Sequence, residues 1–223
     1  MHKKGATAGF EKWVEAVFDH PVTKQEWYWA PEFEAQWASL ELSNAVTVTY
    51  LTRLYSDASI LSRFSLEQVA QGIWFLVGES SPAKPSYCLL RSLIPLRTRV
   101  ACVSAMANFF AQFVAVKAPG PADTTDRNPF HVACHMWWDI LPVRGGTRVH
   151  EPELDQACLA AMAKILNLPS ELCQLSALHG LNHWHRAYGA HVEQTVDAFL
   201  SESHDLSVRV REYAARARCG KAL

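Results

Sequence analysis

The chain has 223 residues, of which 49% are hydrophobic and 19% are charged, and its formal net charge is -1. A chain of this length and apolar content can bury a large core. The composition excludes a disordered chain, which would have few apolar residues and a high net charge, and a strongly basic nucleic-acid-binding protein.

The periodicity of apolar residues and the positions of Pro and Gly predict an all-α fold. In chain order, the predicted helices cover residues 10–18, 32–56, 65–78, 87–94, 97–117, 130–141, 153–166, 170–186, 189–203 and 207–220. Capping-box patterns at residues 23–26 and 65–68 indicate helix starts, as does Pro152 with acidic residues in the following turn. Residues 44–50 are rich in β-branched side chains, but they continue without a turn signal into residues 51–54, which favours a helix there.

Stretches rich in Pro, Gly, Ser and Asp divide the chain. Residues 80–86 and 142–147 are predicted to be loops, and the strongest break lies at residues 118–129. We therefore expect an N-terminal helical half at residues 1–117 and a C-terminal half at residues 130–223, which together form one continuous body. Because the other connections are short, neighbouring helices are expected to be antiparallel, as in a helical bundle.

The C-terminal quarter of the chain resembles the helix pairs of HEAT-type repeats. The residues that match the second helix of such a repeat are Asp205, Val210, Arg211, Ala214 and Ala215. Residues 170–180 are loosely similar and precede this segment by roughly the HEAT period of about 40 residues. The resemblance implies an α-α superhelix in this half, in which residues 189–203 form the first helix of the last pair and Arg209 or Arg211 pairs with a neighbouring turn.

The segment from Val100 to Val116 has no charged residue, but it is not predicted to cross a membrane. Its polar residues Ser104, Asn108 and Gln112 recur at every fourth position, so they lie along one stripe of a helix. We expect a central, mostly buried helix whose polar stripe meets backbone groups, water or a cavity. The three polar residues are candidates for ligand binding.

Histidines form two pairs at helical spacing in the C-terminal half. His131 and His135 are four residues apart, with Asp139 four residues further on, and His179 and His183 are also four apart. Residues four apart share one face of a helix, so two such helices can supply the ligands of one metal ion. The four histidines are candidate ligands of a divalent transition metal, with Asp139 as a fifth candidate. Structural histidines at helix junctions would give the same pattern.

An aromatic and acidic block lies near the N-terminus. It contains Trp27, Trp29 and Trp37, and seven acidic residues fall between residues 11 and 41. Such a block can surround a cationic ligand or anchor a protein partner. It can equally fold onto the first helices as a cap whose Trp side chains fill gaps in the packing. The three Trp residues are therefore candidates for ligand or partner binding.

The six cysteines and the N-terminal residues favour a cytoplasmic protein. None of the cysteines forms a Cys-x-x-Cys pair, and most lie within apolar helical patterns, which is typical of buried free thiols. No apolar segment follows residues 1–5, so no secretory signal is predicted.

The sequence contains no glycine-rich phosphate loop and no Gly-x-Ser-x-Gly pattern, so no catalytic residue is assigned. The repeat-like C-terminus and the uneven distribution of charge favour a non-catalytic scaffold or interaction module that binds another protein and needs no cofactor. The first alternative is a metal-binding protein or metal-dependent enzyme that uses the paired histidines. The second is a small-ligand-binding protein that uses the aromatic and acidic block together with Ser104, Asn108 and Gln112.

Overall fold

The computed structural model describes residues 8–79, 81–125, 127–147, 151–203 and 205–222. Within these ranges the chain forms helices and no strands, so the prediction of an all-α helical bundle is confirmed. The α-helices are α1 (Phe10–Phe18), α2 (Phe33–Ala38), α3 (Asn44–Ser56), α4 (Leu66–Val77), α5 (Leu96–Phe109), α6 (Ala115–Lys117), α7 (Pro129–Ile140), α8 (Pro152–Leu166), α9 (Glu171–Glu202) and α10 (Val208–Ala217). The N-terminal residues 1–5, on which the prediction about a secretory signal rests, lie outside the described residues.

Two of the predicted helix starts are confirmed, the first of them by its capping contacts. At the start of α4, the Ser65 hydroxyl accepts a hydrogen bond from the backbone N–H of Gln68, and the Gln68 side chain accepts one from the backbone N–H of Ser65. This capping box satisfies two N–H groups that the helix itself cannot pair. Helix α8 begins at Pro152 and has Glu153 and Asp155 in its first turn, where carboxylates favour the positive end of the helix dipole.

The predicted helix start at residues 23–26 is wrong. The Thr23 hydroxyl donates a hydrogen bond to the carbonyl oxygen of Gln25 at 2.6 Å, and a short 3-10 turn follows at Trp27–Trp29. Ala30 ends that turn in an extended conformation, with φ of -67° and ψ of 144°. Pro31 accounts for this ending, because its ring disfavours the α conformation in the preceding residue.

The predicted helix at residues 32–56 is two helices, and the one at 87–94 is a 3-10 segment at Pro85–Leu90. Glu41 interrupts the first with a positive φ of 50°. Ser43 then starts α3 by accepting a hydrogen bond from the N–H of Val46, which favours a new helix over a continued one. The β-branched residues 44–50 are helical, as the sequence predicts.

A π-helical segment at Phe110–Val114 joins α5 to α6, so the chain is helical from Leu96 to Lys117. Cys102, Val103 and Met106 are buried on one face of this helix. Half of its most apolar 18-residue window is buried. The buried share is therefore lower than the sequence predicted, since a mostly buried helix was expected. By length and a mean hydropathy of 1.5 this helix could cross a membrane, but buried core helices pass the same test.

Aromatic rings link the two halves of the chain through one core. The side chain of Trp137 in α7 is 1% exposed, and its ring lies 5.4 Å from that of Tyr55 in α3 and 5.3 Å from that of Phe109 in α5. Such aromatic contacts add to the large apolar area that each ring buries. The core therefore fixes α7, which bears the candidate metal ligands, against the N-terminal helices.

Helix α9 bends sharply at Tyr188, whose φ of -133° and ψ of 39° lie outside the helical region. The bend falls between the two helices predicted at residues 170–186 and 189–203. The chain then folds back, since His185 Nε2 lies 3.6 Å from a carboxylate oxygen of Glu193. The second segment of α9 also pairs with the end of α10 through Asp197 and Arg218, whose side chains are 2.6 Å apart. The HEAT-type nature of this last pair stays a prediction.

Candidate metal centre

Close packing of α7 against α9 builds the candidate site, and Gly180 permits the approach. A Cβ atom at position 180 would lie 2.6 Å from Cβ of Trp138 and 2.6 Å from Sδ of Met162, which is too close for any side chain. Because Gly180 follows His179 and Trp138 precedes Asp139, this contact brings the metal-ligand candidates of the two helices together.

Three of the candidate donor atoms converge. Nε2 of His183 lies 3.3 Å from Nε2 of His179 and 3.3 Å from Oδ1 of Asp139. One donor atom from each of these three residues lies within 4.8 Å of the other two. We call this group of Asp139, His179 and His183 the triad.

The separations within the triad match the edges of a metal coordination sphere. Tetrahedral Zn²⁺ with bonds of about 2.0–2.1 Å to nitrogen or oxygen places its ligand atoms about 3.3–3.4 Å apart. Two of the three edges already have that length. Closing the third edge from 4.8 Å or less needs a side-chain movement of about 1.4 Å at most.

Protons alone satisfy the triad poorly. A neutral imidazole has one protonated nitrogen, so a proton on Nε2 of His183 can point directly at Asp139 or at His179 but not at both. One of the two 3.3 Å contacts is then bent or lacks a proton. A cation between the three atoms would instead meet a lone pair from each of them.

His179 is held in the neutral form that metal binding requires. Burial, and then the neighbouring His183, lower the pKa of His179 to about 4, against the opposing effect of Asp139. Its Nδ1 lies 2.8 Å from the hydroxyl oxygen of Tyr213 in α10. If Nδ1–H donates to that oxygen, Nε2 presents its lone pair to the triad, which is how a second hydrogen bond orients a ligating imidazole.

Arg144 and Glu79 support the carboxylate of the triad from outside. Arg144 donates to the backbone carbonyl of Asp139, and its guanidinium lies 3.7 Å from Oδ1 of Asp139. The same guanidinium pairs with Glu79 at 2.9 Å. These contacts fix the end of α7 and place a positive charge beside the Asp139 carboxylate.

His135 lies beside the triad without joining it. Its ring centroid is 4.5 Å from that of His179, and its Nδ1 is buried without a hydrogen-bond partner among the described residues. Burial, with smaller effects of His179 and Arg209, lowers the pKa of His135 to about 3, so the ring is neutral near pH 7.

His131 lies away from the triad and has a separate contact. Its Nδ1 accepts a hydrogen bond from the backbone N–H of Asp123 at 2.9 Å, which ties α7 to the loop before it. Burial lowers the pKa of His131, although the nearby Asp123 acts in the opposite direction. The structure therefore brings together two of the four histidine candidates with Asp139, places His135 next to them, and separates His131.

The aromatic candidates pack around Phe75 of α4 and contribute no atom to the triad. The ring of Trp27 is 4.7 Å from Phe75 and that of Trp37 is 4.9 Å from it, whereas Trp29 is 46% exposed. The cavity beside Trp27 and Trp37 has a volume of about 60 Å³, far below the roughly 300–1,000 Å³ of ordinary ligand pockets. This arrangement is the packed cap that was one of the sequence interpretations.

The polar stripe of the α5 helix lies on the surface. Ser104, Asn108 and Gln112 are all exposed. The sequence left backbone groups, water or a cavity as possible surroundings of this stripe, and the structure places it in contact with solvent. Two residues that contact the triad were not indicated by the sequence. Tyr213 and Arg144 carry no spacing signal, since each comes from an element separate from α7 and α9.

No known protein family, characterised protein or solved structure matches this chain significantly. The function must therefore be inferred from the site itself.

Proposed function

We propose that this protein binds a divalent transition metal through Asp139, His179 and His183. The observation that carries the proposal is the pair of 3.3 Å contacts that Nε2 of His183 makes with the other two donors. Two imidazoles and one carboxylate form a donor set that suits Zn²⁺ and Fe²⁺. The neutral state of His179 and its contact with Tyr213 support the same proposal.

The partial exposure of the triad favours a catalytic or ligand-binding metal site over a purely structural one. His179 is 4% exposed, but the side chains of His183 and Asp139 are 28% and 31% exposed. Structural zinc sites are usually closed by four protein ligands, whereas catalytic sites use three and keep one position for water or substrate. We therefore infer a metal-dependent enzyme or a protein that binds a small ligand at its metal.

Metal content tests the proposal directly. Protein made without an affinity tag is treated with a chelator, dialysed against Zn²⁺ or Co²⁺, and analysed for bound metal. We expect about one equivalent for the wild type and a loss of affinity of about 100-fold for His183→Gln, since a ligand is removed. His191→Gln is the matched control, because His191 is an exposed histidine on the same helix. Less than about a tenth of an equivalent in the wild type would overturn the proposal.

A protein-interaction module is a second candidate, favoured by the exposed end of the aromatic cap. Trp29 is 46% exposed and Val22 is 52% exposed, and exposed Trp side chains often anchor protein interfaces. On this proposal a stoichiometric partner co-purifies with the wild-type protein and is lost from Trp29→Ser. Equal retention by the two proteins would count against the cap as the binding surface.

A further inference from the structure

We infer that the open side of the metal centre binds a small anionic ligand, whose oxygen atoms occupy the open metal position and pair with Arg186. The inference rests on the proposed metal site. The chemistry that would be recognised is an anionic oxygen group, as found in carboxylates and phosphates.

A pocket adjoins the triad at one shared residue, His183. It has a volume of about 340 Å³ and is lined by Gly145, Gly146, Thr147, His183, Arg186 and Ala187. That volume lies at the lower end of the range for small-molecule sites. Because His183 belongs to both the triad and the pocket wall, a ligand in the pocket would adjoin the bound metal.

Arg186 is placed to bind an anion there. It lies three residues after His183 in α9, so both side chains are on the same face of the helix. Arg186 is exposed and makes no hydrogen bond or ion pair within the described part of the chain. By contrast, Arg144 pairs with Glu79 and Arg218 pairs with Asp197. A free guanidinium at a pocket is well suited to carboxylate or phosphate, which it can bind through two parallel hydrogen bonds.

The opposite wall of the pocket is backbone that the core holds in place. A Cβ atom at Gly145 would lie 2.8 Å from the ring of Trp184, so this segment packs directly on α9. Gly146 has a positive φ of 73°, and its N–H donates to the buried carboxylate of Asp155 at 2.8 Å. Asp155 also accepts a hydrogen bond from Tyr188 at 2.7 Å. The pocket is therefore formed before any ligand binds, which lowers the entropic cost of binding.

The charges around the pocket favour an anion once the metal is bound. The metal and the guanidinium groups of Arg144 and Arg186 contribute four positive charges, against three negative charges from Asp139, Glu79 and Asp155. The resulting net charge of +1 attracts anions and would be neutralised by binding a singly charged one.

Visible spectroscopy of the Co²⁺-loaded protein tests the inference. The d–d bands report metal binding, and titration with acetate in one arm and inorganic phosphate in the other reports anion binding. We expect at least one anion to change the bands in a saturable way, and the stronger of the two to identify the class. Arg186→Gln should weaken that binding about tenfold and leave Co²⁺ affinity unchanged, since one charge-assisted contact is lost.

Arg97→Gln is the matched control, because Arg97 is an exposed arginine in the groove between α3 and α5 and should not affect either reading. Normal Co²⁺ bands with no saturable anion effect would overturn this inference alone. The same holds if Arg186→Gln binds the anion as tightly as the wild type. Absence of the Co²⁺ bands would overturn the metal site and this inference together.

Discussion

The hydroxyl oxygen of Tyr213 lies 2.8 Å from Nδ1 of His179, although the two residues are 34 positions apart in the chain. This contact joins α10 to the face of α9 that carries the proposed metal ligands. Burial raises the pKa of Tyr213, so the phenol stays neutral and can accept the Nδ1–H of His179. The last helix therefore helps to orient His179, a proposed metal ligand that lies in a different helix.

Replacing Tyr213 by Phe should weaken metal binding. Loss of a partner that orients a ligating histidine typically costs about 10-fold to 100-fold in metal affinity. Competition with a chromophoric chelator measures the change. Tyr50→Phe is a suitable control, because this substitution also removes a phenol hydrogen bond. The Tyr50 hydroxyl donates to the Ala8 carbonyl oxygen at 2.7 Å in the N-terminal half. Equal metal affinities in the two variants would contradict the orienting role of Tyr213.

The sequence predicted the helices that carry the triad but not the contact between them. A spacing of four residues places His179 and His183 on one face, and His135 and Asp139 on one face, whatever the tertiary structure. Which helices meet depends on packing, and the decisive residue is Gly180, which reads in the sequence as an ordinary small residue in a helix.

Other parts of the site had no local signal. Tyr213 reaches His179 only because the chain bends at Tyr188 and returns through α10. The aromatic block has a clear signal in the sequence, but that signal does not select one structure. Its composition is compatible with a cage, an interface or a packed cap. Side-chain contacts with Phe75 distinguish these arrangements, and those contacts come from a different helix.

Gly180→Ala should destabilise the fold and weaken metal binding. The new methyl group would lie 2.6 Å from Trp138 and Met162, so α7 and α9 must move apart. Overpacking of this kind costs about 1–3 kcal/mol in the free energy of unfolding. Gly189→Ala is the control in the same helix. A Cβ atom at position 189 would lie no closer than 3.5 Å to any neighbour, the nearest being Nε2 of His185, and alanine favours a helix more than glycine does. Urea unfolding should show a lower free energy of unfolding for Gly180→Ala, and Co²⁺ titration should show a lower metal affinity. Neither quantity should fall in Gly189→Ala.

Phe75→Ala should remove the support of the aromatic cap. The Phe75 ring is fully buried and contacts Trp27 and Trp37 at centroid distances of 4.7 and 4.9 Å. Truncating a buried Phe costs about 3–5 kcal/mol, because a cavity remains where the ring was. Trp29→Ala should cost much less, since that ring is 46% exposed. Comparable losses of unfolding free energy in the two variants would show that the cap is packed differently.

The cysteines should differ sharply in reactivity. Cys219 is exposed, whereas Cys88, Cys102, Cys134, Cys158 and Cys173 are buried. Burial raises the pKa of Cys102 to about 12 and that of Cys173 to about 11, so these thiols remain protonated and unreactive at pH 8. Titration of the native protein with an aromatic disulfide reagent should therefore detect the one exposed thiol rapidly, and all six after unfolding in denaturant. Cys219→Ser should abolish the rapid reaction without changing the unfolding midpoint, because its side chain faces solvent. Rapid reaction of a second thiol in that variant would mean that the core opens more readily than its packing implies.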